Sequence, residues 1–313
     1  MKNVSEVYIG VDISKNNLDI YIYPIGKLLS ITNSKAEIEK FVKQLAEYKV
    51  ARIACEATGG YEKQLEHCLR QSSRTLWIID PRRIKGFIIS TGCRAKTDKI
   101  DAQKIAEFAA KNTLTYEPII KTTNQCTIQA YSNRKGDLLK YLVAEKTRLK
   151  HPSHELSTES IKQLVTFLEG QIKSIDLIIQ KLIKEDDDLR VKSACLESIP
   201  GIGKATAATL LSFVPELGQL SNKKISALAG LCPYDNSSGK HKGKKFIRGG
   251  RVVPRNALYM CALTTIRYHL PLKNLYDRLI ANHKPFKVAI VAVMHKLIII
   301  ANSILRKGEL CKA

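Results

Sequence analysis

Three short runs near the start of the chain, VYIGVDI (7 to 13), LDIYIY (18 to 23) and LLSIT (28 to 32), restrict the possible folds more than any other feature. Each is rich in β-branched and aromatic residues, and only Ser14 to Asn17 and Pro24 to Lys27 separate them. Strand-forming runs with joints this short predict an antiparallel meander. Beyond it, KAEIEKFVKQLAEY has helical periodicity, ARIACEAT returns to strand, YEKQLEHCLRQ is helical, and TLWIID is strand again, ending at Pro81. A meander followed by alternating helix and strand predicts an α/β domain with a mixed sheet, in the order of a ribonuclease H-like arrangement.

The rest of the chain has a different texture. From about Thr122 to Lys192 the pattern is long and helical, and Pro152 within HPSHELSTES breaks it into two arms, as in a helical hairpin. Its heptad-like spacing suits a contact between protomers as well as a core of its own. From Ser193 onward short helices alternate with glycine-rich joints. The predicted organisation is an α/β domain over 1–120, a helical coiled-coil linker over 121–192 and a mainly α domain over 193–313.

The chain has 51 Lys+Arg against 29 Asp+Glu in 313 residues, a formal charge of +22. Solubility does not require such an excess, and clustered cations gain affinity by displacing the counterions condensed on nucleic-acid phosphates. The cations are concentrated between Asp235 and Asp277, where no acid occurs but Lys240, Lys242, Lys244, Lys245, Arg248, Arg251, Arg255, Arg267 and Lys273 do. Phosphate contact is the reading that such an interval favours over an ordinary solvated face.

The start of the chain has no apolar stretch of the signal-peptide kind. The most apolar segment, VAIVAVMHKLIIIANSIL (288 to 305), is interrupted by His295 and Lys296, which favours a buried helix over a membrane span. Eight cysteines are scattered without a Cys-x-x-Cys pair, so they read as reduced thiols in a cytoplasmic, nucleoid-associated protein without a membrane partner.

Three constellations carry chemistry. Asp12 stands near the end of an apolar strand in YIGVDISK, and Glu56 does so in IACEATGG. A buried carboxylate there is costly unless it is paired or metal-bound. Asp98 and Asp101, three residues apart in KTDKIDAQKIAEFAA, share one helical face. Acids in a first helical turn also complement the helix dipole. In a ribonuclease H-like sheet all four acids converge, and four ionised carboxylates together require cations. Mg²⁺ is the natural occupant, as two ions, with Mn²⁺ as a substitute.

The second constellation is Pro200-Gly201-Ile202-Gly203, joining two helical stretches. Gly201 and Gly203 let backbone N–H groups and a helix N-terminus approach a phosphate, which resembles a helix-hairpin-helix. The third is YDNSSGKHKGKKFIRGGR (234 to 251), where Ser238 precedes Gly239 in a basic loop. A serine alkoxide attacking a phosphodiester needs positive charge around it, and Lys240, Lys242, Lys244, Arg248 and Arg251 could supply it. His241 is a candidate base, and Ser237 leaves the nucleophile's position open by one residue.

Taken in order, GVDISK, CEATGGY, RAKTDKIDAQKIA, IPGIGKATAATLL, LAGLCPYDNSSGKHKGKKFIRGGR and RNALYMCAL resemble the DEDD transposases of the bridge-RNA-guided insertion-sequence family, which includes the pilin-gene invertase. The resemblance spans essentially the whole chain. It implies an amino-terminal RuvC-like domain with Asp12, Glu56, Asp98 and Asp101 as its metal-binding acids. It also implies a carboxy-terminal transposase domain in which Ser238 links covalently to DNA. Excision and insertion would pass through a circular intermediate. The implied partners are double-stranded donor and target DNA, an element-encoded guide (bridge) RNA, and further copies of the chain, dimers assembling to a tetramer.

Other readings account for less. A sugar kinase or actin-like ATPase would suit IGVDISK but needs further glycine-rich nucleotide loops. A metal-dependent junction nuclease needs the acids but not Ser238. A non-catalytic nucleic-acid-binding protein leaves the four carboxylates unexplained. A site-specific DNA invertase shares the same chemistry and is the nearest alternative.

Overall fold

The computed structural model describes residues 6–92, 98–112, 118–151, 155–238, 241–243 and 245–311. The chain divides into two compact units, 1–120 and 121–313.

The first unit is built on the meander. Strands β1 (Val7–Ile13), β2 (Asn17–Tyr23) and β3 (Lys27–Thr32) pair antiparallel, and β4 (Val50–Glu56) and β5 (Leu76–Ile79) add in parallel beyond β1, giving the order β3-β2-β1-β4-β5. The predicted mixed sheet is therefore present. Period-2 alternation assigns its two faces. Val7, Ile9, Val11, Leu18, Ile20 and Ile53 pack against α1 (Lys35–Gln44) and α2 (Lys63–Gln71), through Ile38, Phe41, Leu65 and Leu69. Ala54, Trp77 and Ile79 face the other way, onto Ile84 of α3 (Pro81–Ser90) and Ile105, Phe108 and Ala109 of α4 (Asp98–Lys111).

Helix α3 lies where the sequence reading stopped at Pro81. Asp80 caps it by accepting a hydrogen bond from the Arg82 backbone N–H at 2.9 Å, and Pro81 supplies the fixed φ of a first helical residue. The Arg82 guanidinium beside Asp80 also holds that carboxyl down at about 2.

The second unit is mainly helical. Helices α5 (Thr123–Arg148) and α6 (Glu155–Glu185) pack together as the predicted hairpin, with the break at 152–154 outside the described residues. Their buried residues Ile128, Leu138, Leu168 and Ile179 join the core formed by α7 (Asp187–Glu197), α8 (Lys204–Phe213), α9 (Asn222–Leu228), α10 (Val252–Tyr268), α11 (Leu270–Ala281) and α12 (Phe286–Lys307). Helix α12 contains the apolar segment singled out above. It is long and apolar enough to cross a membrane, but Ile290, Val293, Met294, Leu297, Ile298 and Ala301 lie inside this core. Among the described residues all cysteines are free thiols, and Cys55, Cys68, Cys195 and Cys261 are buried.

Candidate nucleic-acid site

The acidic end of the first unit depends on how α4 lies on the sheet. Arg52 of β4 donates from Nη1 to the carbonyls of Ala109 (3.0 Å) and Asn112 (2.8 Å) at the carboxy end of α4, and stacks on Trp77 at 5.9 Å. Arg52 pairs in register with Tyr8, so the end of α4 sits level with the start of β1. Midway, Gly10 meets α4 so closely that an added Cβ would overlap the Ala102 carbonyl oxygen and the Ala106 nitrogen. The helix therefore runs antiparallel to β1. From Tyr8 to Asp12 the strand advances ~13 Å and from Ala109 back to Asp101 the helix advances ~12 Å, so Asp101 arrives level with Asp12.

Asp12, Glu56 and Asp101 are all half-buried. Asp12 and Glu56 end adjacent parallel strands, on the face that carries Ala54 and α4, while α4 begins at Asp98. The side chain of Asp98 lies outside the described residues. Among the described residues no three His, Cys, Asp or Glu side chains form a ready metal-ligating group. Carboxylate oxygens are the donor type that a hard divalent cation takes, and the sheet register puts Asp12 and Glu56 on one face.

That register adds a carboxylate which the sequence reading missed. Asp19 of β2 stands directly opposite Asp12, on the same face and also half-buried. Like charges directly across a strand pair repel. The signal was available in the strand pattern, since folding VYIGVDI back on LDIYIY aligns the two aspartates. Beneath them, burial raises the Cys55 thiol pKa well above its ordinary value, and Glu62, Glu66, Glu56 and Asp12 reinforce the effect.

The loop after Glu56 is fixed internally. Glu62 accepts from the Thr58 hydroxyl and from the Gly60 N–H at 2.9 Å. Burial pushes this carboxyl up, but those hydrogen bonds prevail and hold it below its usual range. Asn33 donates through Nδ2 to the carbonyls of Ser14 (3.0 Å) and Tyr61 (3.3 Å), tying the turn after Asp12 to the loop after Glu56.

In the second unit the two glycines of the Pro200–Gly203 joint have separate roles. Gly201, at φ 97°, is pressed against α10, where a Cβ would overlap the Thr265 hydroxyl. Thr265 in turn donates to the Pro200 carbonyl at 3.1 Å. Gly203 caps α8 with open space around it. The exposed helix start, followed by Lys204, is the part of this joint able to meet an anion.

The serine loop is a small β-ribbon. β6 (Pro233–Tyr234) pairs with β9 (Phe246–Ile247), and within that stem β7 (Ser237–Ser238) pairs with β8 (His241–Lys242). Gly239, Lys240 and Lys244 lie outside the described residues, as do the side chains of Ser238, His241 and Lys242. The Ser237 hydroxyl donates to Asp235 Oδ1 at 2.8 Å and holds that carboxyl below its ordinary range. Lys245 is exposed, 3.7 Å from Asp235.

The ribbon's base is anchored by two cations that the sequence reading assigned to phosphate. Arg251 donates to Glu216 at 2.5 and 2.7 Å and to the Phe213 carbonyl at 2.8 Å, and Glu216 is only 3% exposed. Arg255 donates to the Gly249 carbonyl at 2.6 Å. Gly250, at φ 64°, packs directly on Gly230. Arg248 is exposed, and its guanidinium lies over the Tyr234 ring at 4.7 Å.

These two sites fall within matches to known transposase families. A DEDD-type profile described as Transposase matches residues 9–152, and one described as Transposase IS116/IS110/IS902 family matches residues 193–277. Both regions are thus similar to IS110-family transposase domains. It is also similar along its length to pilin gene-inverting proteins of Moraxella lacunata and Moraxella bovis. Each is 28% identical over 318 aligned positions, covering 98% of both chains. A 43.6 kDa protein of insertion element IS110 from Streptomyces coelicolor is 26% identical over 156 residues, 49% of this chain and 38% of that protein. The protein is an enzyme of the transposase and DNA-recombinase class.

Proposed function

We propose that this protein is an RNA-guided transposase of an insertion sequence, cutting and joining DNA through a covalent serine link. What supports the reading is the placement of Asp12 and Glu56 near the ends of adjacent strands on the face covered by α4, the helix that carries Asp101, together with Ser238 in a β-ribbon within a cation-rich stretch. The strand order of the first unit supports a RuvC-like, ribonuclease H-like assignment for residues 1–120. Residues 121–192 would form the linker, and 193–313 the transposase domain with its helix-hairpin-helix.

Asp12, Glu56, Asp98 and Asp101 would hold Mg²⁺, or Mn²⁺ in its place, which when bound neutralises the acids and polarises phosphate oxygens. Ser238 Oγ loses its proton and attacks phosphorus. The Oγ–P bond forms, the bridging P–O bond breaks, and the departing oxygen takes a proton. Lys240, Lys242, Lys244, Lys245 and Arg248 would hold the non-bridging oxygens. Gly203 and Lys204 at the start of α8 would grip backbone phosphate nearby. By family resemblance, protomers pair and then form a tetramer, and an element-encoded RNA selects donor and target DNA. Such an enzyme works inside the cell, on the nucleoid.

The full-length similarity to pilin gene-inverting proteins favours one further reading, a site-specific DNA invertase with identical chemistry. Recombination of DNA carrying the element's own ends, with Mg²⁺ titrated, tests the metal site. Asp101→Asn is expected to weaken apparent metal affinity about 10- to 100-fold while duplex binding stays intact. Unchanged recombination in Asp101→Asn would remove the metal-site reading. RNA that co-purifies should be element-derived, and random host RNA alone would refute guidance.

A further inference from the structure

The stem of the serine ribbon presents two aromatic rings to solvent. Tyr234 and Phe246 stand directly opposite each other on β6 and β9, so their side chains share one face of the ribbon. They are 42% and 45% exposed. The Arg248 guanidinium lies 4.7 Å from the Tyr234 ring centroid and 5.8 Å from that of Phe246. Two exposed rings and a stacked guanidinium, at the edge of the cation-rich stretch that follows Asp235, are not explained by folding.

We propose that Tyr234, Phe246 and Arg248 form a stacking site for an unpaired nucleobase. The inference rests on the reading that the ribbon meets nucleic acid, and it names what that surface recognises. Cations alone would bind the backbone of any duplex, whereas exposed rings gain nothing from phosphates. They gain by covering the flat face of a base, and a base offers that face only when it has left the duplex stack. Lys245, exposed next to Phe246 in the same ribbon, would take a flanking phosphate. Strand exchange requires base pairs to open at the crossover, and Tyr234 lies only a few residues before Ser238. An extruded DNA base held here would keep the opened strand beside the nucleophile. An unpaired base of a guide RNA offers the same chemistry.

Full-length protein titrated with short single-stranded oligonucleotides carrying one 2-aminopurine, in deoxy and ribo forms, tests the proposal. Wild type is expected to quench the 2-aminopurine on binding. Tyr234→Ala and Phe246→Ala should each weaken single-strand binding about 5- to 100-fold, with Tyr234→Phe near wild type. Both rings are uncharged and at the surface, so duplex affinity and the salt slope should stay nearly constant. The tighter of the deoxy and ribo probes identifies the natural source of the base.

Salt-dependent binding without quenching would overturn the stacking site while leaving the nucleic-acid reading in place. Absence of any salt-dependent binding would overturn both. Alanine variants that bind oligonucleotide normally but change the protein's sedimentation would assign the rings to a contact between copies, which also overturns the proposal.

Discussion

Arg251 meets Glu216 with both ends of its guanidinium, at 2.5 and 2.7 Å, and so joins the start of α10 to the segment after α8. The pair stands where the ribbon carrying Ser238 returns to the core, next to the Gly230–Gly250 contact. Removing one partner of such a pair leaves a buried charge uncompensated. Arg251→Met is expected to lower stability by about 3 kcal/mol in a denaturant titration. Adding Glu216→Leu should restore much of it, because the stranded carboxylate goes too. The slope of DNA affinity against salt should change little in Arg251→Met, since this cation is turned inward.

Gly10 sets the distance between β1 and α4. In Gly10→Ala the new methyl would overlap the backbone of Ala102 and Ala106, so the helix must move off the sheet. Overpacking of this kind costs about 1–3 kcal/mol. Trp77 is the chain's single tryptophan and packs against Phe108 of α4 at 5.5 Å. Its fluorescence therefore reports the docking. Gly10→Ala is expected to shift the emission to longer wavelength and to impair recombination, because Asp101 moves with the helix. Unchanged emission with full activity would contradict the placement of α4.

Gly201 and Gly203 should respond differently to alanine. Gly201→Ala forces a side chain into a left-handed backbone and onto Thr265, at a cost of about 1–3 kcal/mol. Gly203 has extended backbone and open space, so Gly203→Ala should lose no more than about 1 kcal/mol as a helix cap. Thermal unfolding of the two variants checks the difference.

Much of the first unit was legible because its information is local. The period-2 runs define β1 to β4, and their order gives the mixed sheet. Asp12 and Glu56 were recognisable as polar ends of apolar strands. What local pattern does not carry is partnership. Arg251 reads as a phosphate cation among eight others until Glu216, 35 positions earlier, is brought beneath it. Asp19 looks like an ordinary polar position in β2 until hairpin register sets it across from Asp12. Helix α3 was missed although Asp80 and Pro81 form a helix-start signal, because Pro81 was read only as the end of a strand.

The Ser237 hydroxyl is committed to Asp235, whereas Ser238 is the serine that directly precedes Gly239 in sequence. The most direct test of the central claim is therefore the covalent protein–DNA adduct, trapped by denaturation during recombination with Mg²⁺ and resolved on a gel. Wild type and Ser237→Ala are expected to give the adduct, while Ser238→Ala should give none and still bind DNA. An adduct that persists in Ser238→Ala and disappears in Ser237→Ala would move the nucleophile by one residue, and recombination without any serine adduct would contradict the account.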